Sequence, residues 1–322
     1  MPKSQTKDVY VSILNESLNG DPYDETAVIL DDGLSNVIEP CRDALEDENF
    51  EYEVVEYKVD SHGEDPPEHV AEAMKKHDIF IAPTQHSISH TEARKESCET
   101  GSRGVGLPTV TPEILNYWAD QDYQEIRQKC QAIGDKIPEV GEVRISTPSG
   151  TELSGTVKRD YFNMDDGDFS TPSSYGNVPY GEVHGPALGF NGTMVVDSLP
   201  VDGIEAEGLE LEIEESQIVE AVYSDNTAEY KKHLGSMIEN VDGMRNVAEL
   251  GLGVVDMPPS GTFGNLLIDE KLGPHIAFGD DTFYLEEGQT ECEVHLDTLL
   301  QDATIEINGE SIMEEGDWKI DH

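Results

Sequence analysis

The chain has 322 residues, with 68 Asp and Glu against 20 Lys and Arg and a formal net charge of −48. That balance argues against nucleic acid or an anionic membrane as partner, because phosphate recognition needs patches of Lys and Arg. The length is sufficient for two compact domains, each with its own core.

The acids are not gathered in one tail. They punctuate apolar runs such as VYVSIL, DIFIAPT and NLLID, so the pattern is that of a folded protein with a carboxylate-coated surface rather than a disordered acidic segment. Self-repulsion at this charge destabilises a compact state in dilute buffer, and salt at molar strength, with a Debye length of about 3 Å, relieves it. A haloadapted protein working in molar cytoplasmic salt is therefore expected. No apolar stretch reaches transmembrane length, and MPKSQTKDVYVSILNES lacks a signal-peptide pattern. Cys41, Cys98, Cys130 and Cys292 lie far apart without a C-x-x-C pair, which fits neither a disulfide framework nor a zinc ribbon. A cytoplasmic location is the expectation.

In chain order, the first part alternates strand and helix. The short apolar run Val9 to Leu14 stands in a strand position, followed by a helical stretch around Val37 to Leu45 and a strand in EYEVVEYKV (Glu51 to Val59). PEHVAEAMKK opens with Pro67 and has helical apolar spacing; DIFIAPT (Asp78 to Thr84) reads as a buried strand; HTEARKESCETG ends on the helix-stop Gly101. Thr111-Pro112-Glu113 supplies an N-cap, a first-turn Pro and a first-turn acid for a helix through about Ile133. Such alternation predicts an α/β domain with a parallel sheet and helices on its faces.

Near Val140 the pattern changes. EVRISTPSGTELSGTV reads as two strands around a Pro-Ser-Gly turn, and GTMVVDS, LELEIEE and QIVEAVYS as further short strands. TAEYKKHLGSMIENV is helical, and TIEINGESIM forms a type I′ hairpin at Asn308-Gly309. The expected organisation is an N-terminal α/β, Rossmann-like domain over residues 1–139 and a C-terminal α+β domain over 140–322.

The C-terminal part carries the chemistry. In EVHLD (Glu293 to Asp297), alternation sends Val294 and Leu296 to one face and His295 with Asp297 to the other, about 7 Å apart along a strand. PHIAFG (Pro274 to Gly279) likewise places His275 and Ala277 opposite Ile276 and Phe278. Two imidazoles and one carboxylate form a common ligand set for zinc, iron or cobalt. Glu182 in NVPYGEV and Glu249 in RNVAELGLG stand among apolar neighbours, where a carboxylate needs a metal, a cation or a proton. Each of these residues alone also suits a plainer role: half-buried histidines, an exposed strand position for Glu249, a solvated turn for Glu182.

Taken together, these segments resemble the aminopeptidase T type of metallopeptidase, the thermophilic metalloaminopeptidases and their archaeal leucyl-aminopeptidase-like relatives. The resemblance rests on GEDPPEHV, SISHTEAR, GSRGVGLP and RISTPSGTEL in the first half, and on NVPYGEV, RNVAELGLG, GNLLIDEKLGPHIAFGD, VHLD and INGE in the second. It implies a peptidase acting on N-terminal residues of small peptides, two neighbouring divalent ions (zinc, cobalt or manganese), and a homodimer. By the same resemblance Glu182, Glu249, His275, His295 and Asp297 fall on the metal ligands, with Glu182 or Glu249 also able to pass a proton. The family places a Tyr seven residues beyond the first His, where this chain has Thr282; the nearest Tyr is Tyr284.

The same fold family includes ring-cleaving 2,5-dihydroxypyridine dioxygenases, in which one iron(II) is held by two His and one Asp. His275, His295 and Asp297 would serve that role equally, with a small-molecule substrate and with His184 and His90 as acid–base groups. A turn position beside Pro186 and a helix N-terminal position after Ser89 are the plainer roles for those two histidines. A non-catalytic metal-binding or scaffold protein is a further alternative, since fold does not settle function.

Overall fold

In the computed structural model, residues 3–198, 205–223, 234–258, 260–282, 284 and 289–320 are described. The chain divides into two compact units, one made of Met1–Tyr123 with Gly167–Tyr180, the other of Gln124–Asp166 with Gly181–His322. Among the described residues no helix is long and apolar enough to cross a membrane.

The first unit opens with α1 (Lys3–Ser12), continued by a π-helical turn at Ile13–Ser17. The apolar run Val9–Leu14 is therefore helical, contrary to the strand expected from its sequence. Val9, Tyr10, Ile13, Leu14 and Leu18 are all buried, and that spacing marks one helical face; a short apolar run alone does not separate strand from helix. The elements that follow are β1 (Thr26–Asp31), α2 (Ser35–Asp47), β2 (Glu51–Glu56), α3 (Glu68–Lys76), β3 (Ile79–Ala82), α4 (Glu92–Glu99), β4 (Arg103–Gly106) and α5 (Pro112–Ala119). The four strands pair in parallel in the order β2-β1-β3-β4, and a strand at Tyr175–Asn177 extends the sheet beyond β4. This is the parallel α/β sheet expected for the N-terminal region. Its core is built on Val28, Leu30, Phe80 and Ala82 with Val70 and Met74 from α3; full burial of a large apolar side chain contributes about 1.5–3 kcal/mol.

The expected cap at Thr111 is present, accepting the amide of Ile114, and Thr91 caps α4 in the same way by accepting the amide of Arg94. The helix begun by Thr111 stops at Ala119, however, and a separate α6 runs Tyr123–Lys136. Asp120-Gln121-Asp122 interrupts it, since Asp competes for backbone groups and is a poor interior helix residue. Although the sequence changes character near residue 140, α6 belongs with the second unit from Gln124 onward, and residues 167–180 return to the first.

Next come β5 (Gly141–Ser146), β6 (Glu152–Val157), β7 (Asn163–Asp165), the first unit's edge strand β8 (Tyr175–Asn177), β9 (Glu182–Pro186), β10 (Leu188–Ser198), β11 (Glu205–Glu214), β12 (Gln217–Tyr223), α7 (Leu234–Asn240), β13 (Val247–Gly253), α8 (Leu266–Asp269), β14 (Pro274–Gly279), β15 (His295–Leu299), β16 (Thr304–Ile307), β17 (Glu310–Glu314) and β18 (Asp317–Trp318). The start of the expected helix at Thr227 lies outside the described residues. Eight strands form one sheet in the order β12-β11-β10-β6-β5-β16-β17-β18. Its β16–β17 hairpin turns on Asn308 and Gly309, both at positive φ (51° and 78°), as a type I′ turn requires. Five more strands form an antiparallel sheet in the order β15-β14-β13-β9-β7, and this second sheet carries the site.

Candidate metal centre

Cross-strand register assembles the site on one face of that sheet. Gly251 of β13 lies opposite His275 of β14 on one side and His184 of β9 on the other. Two residues along β13 in either direction, Glu249 pairs with Ala277 and Pro186, and Gly253 with Glu182. Asp297 and His295 of β15 face Ala277 and Gly279, while Asp165 of β7 faces Glu182. Directly paired residues share a face, so Asp165, Glu182, His184, Glu249, His275, His295 and Asp297 converge. Ile276, Phe278, Leu250, Leu252, Leu296 and Val183 fill the opposite, buried face. The predicted alternation of His275 with Ile276 and of His295 with Leu296 is what the strands display.

The floor is kept low by small residues. An added Cβ at Gly251 would lie 2.0 Å from Nε2 of His275, so the imidazole occupies the space that a side chain on β13 would take. Sequence reasoning that looks for donors passes over such a position.

Glu182, Glu249, His275 and Asp297 are at most 5 % exposed. Oε1 of Glu249 lies 3.3 Å from Nε2 of His275 and its Oε2 lies 3.1 Å from Nε2 of His295, so the two carboxylate oxygens face different histidines. His295 and Asp297 approach to 3.4 Å, and His275 comes within 3.9 Å of the same Asp297 oxygen, Oδ1. Among the described residues two trios could each hold a cation, Glu182/Glu249/His275 and Glu249/His295/Asp297, with one ligand atom per residue and all three within 4.8 Å of one another. Glu249 belongs to both.

The side chains fit a cation. Oε2 of Glu182 and Oδ1 of Asp297 are buried without a hydrogen-bond partner, a costly condition for a carboxylate oxygen. Each orphaned oxygen belongs to a different trio. Carboxylate and imidazole donors suit divalent first-row ions.

Electrostatics point the same way. Burial disfavours the charged form of Glu249, but hydrogen bonds with His275 and His295 outweigh it and hold the carboxyl well below its ordinary range. For Asp297, burial is again opposed and overcome, here by His295 and His275. Burial pulls His275 down, yet Glu249, Asp297 and Glu182 together raise it to about 10. The carboxylates thus draw positive charge into the site.

His184 lies 3.8 Å from Oε1 of Glu249, and its Nδ1 is hydrogen-bonded to the Tyr284 hydroxyl. Burial, then the charge of Glu249, pushes the Tyr284 phenol well above its ordinary value. Thr282 turns elsewhere and donates to Oδ2 of Asp280, 2.9 Å away. Nδ1 of His295 lies 2.8 Å from the Asp280 carbonyl oxygen, which leaves Nε2 toward the acids. His90 stands exposed on the loop before α4 in the first unit, not on the sheet that carries these groups.

Three further charged residues were not singled out in the sequence. Lys271, in the short helical turn Glu270–Leu272, is buried and contacts Glu182, Glu270 and Asp165. Burial pushes Glu270 up to about 8 and Asp165 to about 6, with Lys271 opposing in both cases. A signal existed: a lysine within LLIDEKLGPH, in a chain with 20 Lys and Arg among 322 residues, is a scarce cation in an apolar setting.

No family model matches this chain, and no curated protein matches it in sequence. Among solved structures it is similar to a 2,5-dihydroxypyridine dioxygenase from Pseudomonas putida KT2440, with a TM-score of 0.78 and 14% identity over 99% of this chain and 98% of that one. It is also similar to wild-type AmpT from Thermus thermophilus, with a TM-score of 0.66 and 14% identity over 98% of this chain and 99% of that one. The fold is shared with both, as the sequence resemblance implied. The donor set on this fold fits a divalent cation.

Proposed function

We propose that the chain is a two-metal hydrolase that removes N-terminal residues from small peptides. The observation that carries this reading is the division of Glu249: one oxygen faces His275 and the other His295, and each resulting trio contains one buried carboxylate oxygen without a hydrogen-bond partner. A carboxylate so placed suits two adjacent ions better than one. In this reading Glu182, Glu249 and His275 hold one divalent ion and Glu249, His295 and Asp297 the other, with zinc, cobalt or manganese as occupants.

When bound, such ions supply Lewis acidity that polarises a carbonyl and acidifies water. The chain's own residues would do the rest. His184 and Tyr284, joined through Nδ1 and the phenol, form a proton-handling pair beside Glu249. The phenol can donate to a developing oxyanion while the imidazole holds its orientation. Tyr284 would thus take the role that Thr282 leaves open. His90 remains a proposed acid–base group without a position on the site's sheet. We further propose a homodimer in a salt-rich cytoplasm, with the charge of −48 supporting the salt-rich setting.

A second reading has its own observation. His275, His295 and Asp297 approach one another within 3.9 Å and 3.4 Å at a single aspartate oxygen, and two His with one carboxylate suit a mononuclear iron(II) site with open positions for a ring substrate and O₂.

Metal content per chain, measured by elemental analysis of protein purified anaerobically in molar salt, separates these readings. Two zinc, cobalt or manganese ions per chain, with hydrolysis of amino-acyl amides, are expected. One iron per chain would replace this reading with the dioxygenase, and no metal after reconstitution would leave a non-catalytic role.

A further inference from the structure

Lys271 is 3 % exposed, and lysine is almost never fully buried unless paired. Its ammonium is in contact with Oε1 of Glu182, lies 2.7 Å from Oε1 of Glu270 and 3.3 Å from Oδ2 of Asp165. These three carboxylates come from β9, the turn before β14, and β7. The backbone of the lysine is fixed as well: its carbonyl accepts the amide of Val255 at 2.8 Å. Just upstream, Asp269 accepts the amides of Phe263 and Asn265 at 2.7 and 2.9 Å, tying down the loop that leads into the turn.

The consequence falls on Glu182. One of its oxygens is taken by the ammonium, while the other, Oε2, is buried, has no hydrogen-bond partner and lies 3.7 Å from Nε2 of His275. A carboxylate free to rotate could offer both oxygens to one ion. Here it is gripped at one end.

We infer that Lys271 is a positioning residue of the metal centre, whose ammonium fixes Glu182 so that Oε2 alone is presented to the ion shared by Glu182, Glu249 and His275. The inference rests on the two-ion reading. Groups that orient a metal ligand commonly contribute 10–100-fold to metal affinity, and Lys271 does so for one ion of the pair. The ion held by Glu249, His295 and Asp297 does not depend on it.

The test is manganese(II) binding to the full chain in molar potassium chloride, with affinities from calorimetry and the coupling of the two ions from electron paramagnetic resonance. Wild type should bind two coupled ions. Lys271→Met should keep one at unchanged affinity, which also certifies the fold, and bind the second roughly 10–100-fold more weakly, with the coupled spectrum lost at limiting manganese. Lys271→Arg, which keeps the charge and the donors, should recover part of that affinity. Should Lys271→Met not fold, Asp165→Asn loosens the ammonium without removing it and should give a smaller loss at the same ion. Equal or tighter binding of both ions in the variants would overturn the assignment alone. Fewer than two ions in wild type would overturn the two-ion reading, and the role of Lys271 with it.

Discussion

Tyr284 places its hydroxyl on Nδ1 of His184, a residue 100 positions earlier in the chain. The two rings meet edge to face at a centroid distance of 5.6 Å. The pair stands beside the shared carboxylate of Glu249, where a phenol can donate without taking a ligand position. Tyr284→Phe is therefore expected to lower kcat on an amino-acyl amide about 100-fold, the scale for losing one oxyanion donor, with KM and metal content nearly unchanged. Steady-state kinetics check this, and a variant at the wild-type rate would remove Tyr284 from the reaction.

Glu249 contributes to both trios, so its loss should be felt twice. Glu249→Ala is expected to weaken both ions, whereas Asp297→Ala should leave the ion at Glu182, Glu249 and His275 in place. Ion counts by elemental analysis on dialysed variants distinguish the two. An unaltered single iron in Glu249→Ala would favour the dioxygenase reading, because His275, His295 and Asp297 remain.

Gly251 is expected to tolerate no side chain. Its added Cβ would sit 2.0 Å from Nε2 of His275, so Gly251→Ala must displace the imidazole or the strand. Overpacking of this kind costs about 1–3 kcal/mol. The variant should lose the ion bound through His275 while keeping most of its secondary structure, as circular dichroism and metal analysis together would reveal.

Arg103 grips Glu25 through two bonds, at 2.7 and 2.9 Å. The guanidinium lowers the Glu25 carboxyl below its ordinary value, with burial opposing. A depressed folded-state value means that the stabilisation is complete above the unfolded value of about 4.3 and is lost as pH falls through the lowered one. Denaturant titrations of wild type and Glu25→Gln should therefore differ at neutral pH and converge under acid. A constant difference across that range would contradict the assignment.

The charge of −48 should make stability steeply salt-dependent. Raising ionic strength from about 0.1 to 1 M shortens the Debye length from about 10 to about 3 Å. Thermal unfolding followed in potassium chloride should give a Tm that rises across this range, with loss of structure in dilute buffer. A Tm independent of salt would set aside the haloadapted reading.

Much of this site was legible because strand alternation is a local property. His275 and Ala277, or His295 and Asp297, can be assigned to one face from six residues of sequence, and their strands place them so. The two glutamates were visible as acids in apolar company. What could not be read was long-range: Lys271 meets Glu182 across 89 positions, and nothing within LLIDEKLGPH says that three distant carboxylates will surround it. Local ambiguity caused other errors. Val9–Leu14 reads equally as a strand or a helix when its partners are unknown, TAVILD of β1 was passed over, and Asp120–Asp122 divides what caps and propensities suggested was one helix.

The segment Gly167–Tyr180 has a consequence for the order of events during synthesis. Its strand β8 pairs with β4 through Gly104–Tyr175 and Gly106–Asn177, and the Tyr175 ring stacks on Phe80 at 5.8 Å. Synthesis runs from the N-terminus, at about 5–20 residues per second. The nascent first unit must therefore wait, with the β4 edge open, while residues 124–166 of its neighbour emerge. An unpaired edge is a template for wrong partners. A chain cut after residue 139 would carry that edge permanently, so for this protein the point where the sequence changes character is a poor place to divide it.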